Sequence, residues 1–116
     1  MNVEEIRTFC LAKPATIESF PFDNDTLVFK VGNKIFALLS LSRQTINLKC
    51  EPERAIVLRE TNDGILSGYH MNKQHWNTVS PELISNNLLI ELINHSYDLI
   101  FSSLPKKIKA EIVESH

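Results

Sequence analysis

A hairpin signal in the first half of the chain constrains the fold most strongly. The segments Thr26–Val31 and Lys34–Leu41 are rich in β-branched, aromatic and aliphatic residues, and the dipeptide Gly32-Asn33 separates them. Glycine and asparagine tolerate the positive φ angles that a two-residue hairpin turn requires. The sequence therefore predicts two antiparallel strands joined by a tight turn.

The turn also sets the register of these strands. It pairs Val31 with Lys34 and Phe29 with Phe36. In the next segment, Thr45–Cys50, apolar and polar residues alternate, which is typical of a half-buried strand. We therefore expect a three-stranded meander.

Helices are predicted before and after this meander along the chain. Asn2 and Glu5 have the spacing of a capping box, which predicts an N-terminal helix that ends at Pro14. The following stretch, 14–25, has two prolines and two aspartates and is interpreted as a turn-rich connection. Proline suits the first turn of a helix, so Pro52 predicts a second helix that runs to about Glu60.

The second half of the chain predicts a further strand and a long helix. We expect part of Tyr69–Val79 to be a strand, with a turn or bulge near Asn72–Gln74. Ser80-Pro81-Glu82 is a strong helix start, and apolar residues then recur every three or four positions until Pro105. The tail Ile108–His116 is expected to add only a frayed turn. Together the elements predict a single α+β domain over residues 1–116, an antiparallel β-sheet with helices packed on one face.

Composition limits the classes of function. Twelve Lys/Arg against fourteen Asp/Glu give a net charge of −2, which argues against a strongly basic nucleic-acid binder but leaves room for a local basic patch. The two cysteines, Cys10 and Cys50, have no metal-ligand spacing and are interpreted as buried side chains in a reduced compartment. Without an export signal or a membrane-spanning run, we expect a cytoplasmic protein.

The segment 68–79 concentrates the side chains that could form a site. It holds the only Trp, Trp76, together with His70, Lys73 and His75. An aromatic ring beside hydrogen-bond donors suits an unpaired base or another flat polar ligand. The alternative is that Trp76 anchors the core while its neighbours hold the backbone in place.

The meander carries a local positive charge. Between Thr26 and Cys50 there are four cations and no acid; the cations are Lys30, Lys34, Arg43 and Lys49. A β-ribbon with lysines at its sides can lie along a nucleic-acid groove and contact phosphates. The alternative is that these lysines protect sheet edges from aggregation.

Metal and catalytic sites are not expected. His70 and His75 are five residues apart, which matches one face of neither a helix nor a strand. Glu18 could act as an acid or base with a residue of the 68–79 segment, but a structural salt bridge explains it better. We therefore expect no enzyme, no metal and no cofactor.

Motifs along nearly the whole chain fit a known pattern. They are Pro14, Glu18, Pro21-Phe22, Lys30-Val31, Lys34-Ile35-Phe36, Asn47-Leu48-Lys49-Cys50, Pro52-Glu53, Gly68-Tyr69-His70-Met71-Asn72-Lys73, His75-Trp76-Asn77-Thr78-Val79, Leu92, Ser96-Tyr97, Leu99 and Ser103-Leu104-Pro105-Lys106-Lys107. On these motifs the chain resembles the MmcQ/YjbR-like family of small bacterial proteins. The resemblance implies an α+β fold similar to the frataxin/CyaY arrangement and DNA binding through a double wing of β-hairpins. Iron binding does not follow, since the first helix has Glu4 and Glu5 but no acidic ridge.

Local charge and the resemblance together predict a DNA-binding protein. Its binding residues would be Lys30, Lys34, Lys49, His70, Lys73, His75 and Trp76. The alternative is a binding module for a protein or a small ligand, without catalysis. In either case we expect a monomer or a weak homodimer that does not enter membranes.

Overall fold

The computed structural model describes residues 1–68 and 71–115. In this part of the chain ten helices and strands follow one another, with one 3-10 turn at Pro81–Leu83. They are α1 Val3–Leu11, β1 Ile17–Ser19, β2 Thr26–Val31, β3 Lys34–Ser40, β4 Thr45–Lys49, α2 Pro52–Thr61, β5 Ile65–Ser67, β6 Trp76–Val79, α3 Asn86–Ser102 and α4 Lys106–Ser115.

The strands form one antiparallel sheet, which confirms the predicted α+β class. Their order is β1-β2-β3-β4-β6-β5, so the predicted meander lies at the centre. Two edge strands were not predicted. β1 lies inside the stretch interpreted as a turn-rich connection, and β5 precedes the 68–79 segment. Each has only three residues, too few to show alternation.

The central hairpin has the predicted turn but not the whole predicted register. Gly32 and Asn33 both have positive φ, 55° and 66°, as a type I′ turn requires, and Val31 pairs with Lys34. Phe29, however, pairs with Ala37 and not with Phe36. The pairing of Phe29 with Phe36 was wrong because a register shift between Phe29 and Lys30 inserts an extra residue into β3.

The N-terminal helix begins as predicted. The Asn2 side chain accepts from the backbone N–H of Glu5 at 2.8 Å, and the Glu5 side chain accepts from the backbone N–H of Asn2 at 3.0 Å. This is a complete capping box. The helix ends at Leu11, before Pro14, which confirms the predicted stop.

The C-terminal part of the chain differs from the prediction in two ways: the long helix begins later, and the tail is helical. The long helix begins at Asn86, where the Ser85 hydroxyl accepts from the Leu88 N–H at 3.1 Å; Ser80-Pro81-Glu82 opens only the short 3-10 turn. The backbone returns to an extended conformation at Ile84, which separates the two. The tail is a ten-residue helix, α4, rather than a frayed turn, because Ile112 is buried against the core.

The helices pack on one face of the sheet and enclose the core there. Phe36 of β3 makes an edge-to-face contact with Tyr97 of α3, with ring centroids 5.2 Å apart. The Tyr97 hydroxyl donates to the carbonyl of Pro14 at 2.6 Å and so ties the loop after α1 to α3. In the described residues we find no helix that is both long and apolar enough to span a bilayer.

Candidate functional site

No helix in the described part of the chain covers the opposite face of the sheet, and we call it the open face. Side chains of a strand alternate between faces. In β2, Leu27, Phe29 and Val31 belong to the helix-covered core, so Thr26, Val28 and Lys30 lie on the open face. The strand register extends this assignment across the whole sheet.

The open face has three rows of side chains. Two groups of paired residues lie at one end of the open face: Ile17, Lys30 and Ile35 on β1, β2 and β3, and Lys49 with Trp76 on β4 and β6. The pairing of β3 with β4 ends at Ala37 and Leu48, so the two groups are not joined by strand pairing; together we call them the basic row. The middle row runs unbroken across six strands: Ser19, Val28, Leu38, Asn47, Thr78 and Leu66. The hydroxyl row is Thr26, Ser40 and Thr45. Successive rows are about 7 Å apart, because two residues of a strand separate them.

The basic row brings together three of the seven predicted site residues. Lys49 and Trp76 are direct cross-strand partners, and Lys30 lies at the same end of the open face, two residues beyond the middle row as Lys49 is. All three are half-buried, and Trp76 is not part of the core cluster. Within residues 1–68 and 71–115, neither lysine forms an ion pair. The row therefore presents one indole ring and two unpaired ammonium groups.

The other predicted site residues that the structure describes do not join this row. Lys34 lies at the hairpin end on the helix side, with its Nζ atom 3.5 Å from the Ser103 hydroxyl of α3. Lys73 is exposed and His75 half-buried in the turn before β6. His70 lies outside the described residues. The turn itself is as predicted, since the Asn72 side chain accepts from the Gln74 N–H at 2.9 Å.

A buried amide and an arginine hold this turn against the sheet. Asn77, 2% exposed, faces the helix side, where its Nδ2 atom donates to the Ala55 carbonyl at 3.3 Å. Arg59 of α2 donates from Nη1 to Asn77 Oδ1 at 2.8 Å and to the Lys73 carbonyl at 3.2 Å. Arg59 was not predicted as a site residue from the sequence. The signal was Asn77 itself, since a polar residue two positions before the core residue Val79 needs a buried partner.

Gly68 allows the strands to approach closely at the basic row. A Cβ atom at Gly68 would lie 2.9 Å from Trp76 Cβ and 3.2 Å from Met71 Cβ. Its N–H donates to the Trp76 carbonyl at 2.8 Å. The absence of a side chain here therefore fixes where the Trp76 ring leaves the sheet.

A groove of about 820 Å³ covers the middle and hydroxyl rows. Its walls include the exposed Phe22 and the half-buried Met71, and Ile35 and Leu38 are apolar residues of its floor. The polar lining comprises Asp23, Asp25, Thr26, Ser40, Ser42, Arg43, Thr45, Asn47 and Thr78. This groove was not predicted from the sequence, because its lining comes from four strands and three loops.

Two carboxylates mark the far end of the groove. Asp25 accepts from the Ser40 hydroxyl and from the Ser42 N–H, both at 2.8 Å, and these hydrogen bonds lower its pKa from the ordinary 3.8. The backbone N–H groups of Thr26 and Asp25 lower the pKa of Asp23 in the same way. Both carboxylates therefore stay ionised near neutral pH, about 13 Å from the basic row by strand geometry.

Glu18 does not lie on the open face. Arg7 of α1 binds both of its carboxylate oxygens, with distances of 2.7 and 2.5 Å, on the helix side of β1. This is the structural salt bridge that the sequence analysis favoured. The described residues also contain no cluster of three His, Cys, Asp or Glu side chains that could hold a metal ion.

Comparisons with known proteins agree on one family. The sequence model of the YjbR family matches residues 11–99. The chain is 40% identical to YbdF of Escherichia coli O157:H7 over 107 residues, covering 90% of this chain and 88% of YbdF. It is 28% identical to YjbR of Escherichia coli K12 over 117 residues, covering 98% of this chain and 99% of YjbR.

Two solved structures are similar in fold. The Deinococcus radiodurans protein DR2400, described as a DUF419 domain, aligns with a TM-score of 0.89 at 37% identity, covering 96% of this chain and 87% of that one. A Pseudomonas syringae protein aligns with a TM-score of 0.75 at 29% identity, covering 86% of this chain and 99% of that protein.

Proposed function

The chain belongs to the YjbR family, and we propose that it is a non-catalytic nucleic-acid-binding protein that takes a single strand across its open face. One observation carries the proposal. Lys49 and Trp76 are direct partners on neighbouring central strands, and Lys30 lies at the same end of the open face on β2. A ring that can stack on a base thus lies beside groups that can neutralise phosphates.

The indole ring on the open face favours an unpaired strand over a duplex. Aromatic stacking needs bases whose faces are accessible, and each stacked base contributes about 1–3 kcal/mol. β2 and β4 are two strands apart, and the Ser96 hydroxyl lies between β3 and β4 at Lys49, so Lys30 and Lys49 project from backbones at least about 10 Å apart and meet different phosphates. A hairpin that entered a duplex groove would instead use its tip, where Lys34 faces the helices.

A small-ligand-binding module is the second candidate, and the groove favours it. Its volume of about 820 Å³ is typical of small-molecule sites. Asp23 and Asp25 disfavour a polyanion along the whole length of the groove, since both remain ionised near neutral pH. A compact ligand could avoid the carboxylates where a long polyanion could not.

Titration with a labelled single-stranded oligonucleotide tests the proposal. For single strands the slope of log K against log salt is about −0.7 per neutralised phosphate, so two lysines predict a slope of about −1.4. Binding should also change the fluorescence of Trp76, the only tryptophan. Absence of saturable binding at low salt would overturn the proposal. Saturable binding of a nucleoside without any oligonucleotide binding would favour the second candidate.

A further inference from the structure

The groove begins where the basic row ends. Asn47 precedes Lys49 by two residues on β4, and Thr78 follows Trp76 by two residues on β6. Each pair lies on the same face, with side chains about 7 Å apart along the strand. When the anionic group of a ligand contacts Lys49, the part of the ligand about 7 Å from that group therefore lies in the groove.

The groove beside Lys49 suits a flat ring with polar edges. Ile35, Leu38 and Met71 present apolar surface to the faces of such a ring. The Thr78 hydroxyl donates to Asn47 Oδ1, which fixes the amide so that its nitrogen is the group left to donate. Among the described residues, nothing accepts from that nitrogen. The amide is therefore a positioned donor for an acceptor on the ring edge.

Charge fixes the orientation of the ligand. Lys30 and Lys49 attract an anion at one end, whereas the other end, two rows away, holds Asp23 and Asp25 with one cation, Arg43, beside Asp25 and so keeps a negative balance. An anionic ligand thus enters with its negative group on the basic row and its uncharged part in the groove. A nucleotide has this polarity, with a phosphate at one end and a neutral heteroaromatic base at the other.

We infer that the groove is a pocket for one unpaired nucleobase, whose phosphate contacts Lys49 and whose polar edge accepts a hydrogen bond from Asn47. This inference rests on the proposed function and names the part of the nucleic acid that the groove takes. The volume, about 820 Å³, accommodates one base with its sugar. In this arrangement the basic row supplies attraction that is independent of sequence, while the groove contacts the base.

An abasic oligonucleotide separates the two roles. We would measure the affinity of the unmodified protein for a short oligothymidylate and for the abasic sugar–phosphate strand of the same length and charge. The base pocket predicts that the abasic strand binds about tenfold more weakly, the equivalent of one hydrogen bond with its apolar contacts, and the lost stacking on Trp76 adds to that difference. Equal, salt-dependent affinity for both strands would overturn the base pocket and the stacking on Trp76, and would leave nucleic-acid binding through the phosphate contacts of the basic row. Binding of neither strand would overturn the proposed function itself.

Asn47→Ala tests the residue-level assignment. This variant should lose about five- to tenfold in affinity for oligothymidylate, while its affinity for the abasic strand stays unchanged. Asn87→Ala, an exposed asparagine on α3, is the matched control and should bind both strands as the unmodified protein does. If Asn47→Ala weakens both strands equally, the amide does not contact the base and the assignment is wrong.

Discussion

The Nη1 atom of Arg59 lies 2.8 Å from the Oδ1 atom of Asn77, which joins α2 to the strand that carries Trp76. The other side of the Asn77 amide donates to the Ala55 carbonyl, and Arg59 also reaches the carbonyl of Lys73. One buried amide and one guanidinium therefore fix β6 and the turn before it as a unit.

Replacing Asn77 should destabilise the fold. In Asn77→Ala, the Ala55 carbonyl and the Arg59 guanidinium each lose a partner in a buried setting, so the free energy of unfolding should fall by about 1–3 kcal/mol. Urea denaturation measures this change. The exposed Asn87→Ala variant is the control and should stay within about 0.5 kcal/mol of the unmodified protein. Equal stability of the two variants would mean that the buried amide contributes nothing.

Ser96 supports β4 directly beneath the open face. It is fully buried, and its hydroxyl accepts from the Lys49 N–H at 2.9 Å and donates to the Phe36 carbonyl at 2.6 Å. Ser96→Ala leaves both backbone groups without this partner and should lower the free energy of unfolding by about 1–3 kcal/mol. Thermal unfolding compared with the exposed Ser102→Ala measures the effect. A melting temperature unchanged from that of Ser102→Ala would refute this role.

The hydrogen-bonded carboxylate of Asp25 should make the free energy of unfolding fall in acid. Hydrogen bonds from Ser40 and Ser42 hold its pKa below the ordinary 3.8, so the folded state binds the proton less readily than the unfolded chain. Its stabilisation is therefore complete above that ordinary value and is lost as the pH falls through the lower folded pKa. Between about pH 6 and pH 3, Asp25→Asn should show a flatter decline in stability than the unmodified protein. Asn87→Ala, at an exposed and uncharged position, is the control and should keep the original slope; parallel curves for Asp25→Asn and the unmodified protein would contradict the prediction.

The thiols should be unreactive in the folded protein. Cys10 is fully buried, and burial raises its pKa from 9.0 to about 12. Cys50 is 3% exposed, and burial raises its pKa as well. Because the thiolate is the reactive form, neither cysteine should react with a thiol reagent near neutral pH until urea unfolds the chain. Rapid labelling of either one under native conditions would show that its surroundings open.

The central meander could be predicted because its signals are local. Gly32-Asn33 specifies a turn by its own backbone preference, and the alternation in Thr45–Lys49 follows from burial of one face. The capping box of Asn2 and Glu5 is equally local. The register error at Phe36 has another origin, since a bulge depends on packing between strands and on Ser96 binding the Phe36 carbonyl.

The candidate site could be predicted only in part. Lys30, Lys49 and Trp76 were identified by residue type, but their shared row depends on strand order, which joins β4 to β6 across an intervening helix and strand. The same topology sends Lys34 to the other face. The groove depends on loops far apart in sequence, such as those that carry Phe22 and Met71. No pattern within a short window contains that information.

Substituting lysines on the open face and on the helix side tests nucleic-acid binding by the basic row most directly. Lys30→Ala/Lys49→Ala removes both ammonium groups of the basic row, whereas Lys34→Ala removes one from the helix side and is the matched control. We would titrate a labelled single-stranded oligonucleotide by fluorescence anisotropy over a series of salt concentrations. If the basic row binds phosphates, the double variant loses about 1.4 from the magnitude of the log–log salt slope, at about 0.7 per phosphate, and Lys34→Ala keeps the original slope. An unchanged slope in the double variant, or an equal loss of slope per lysine in Lys34→Ala, would contradict binding at the basic row.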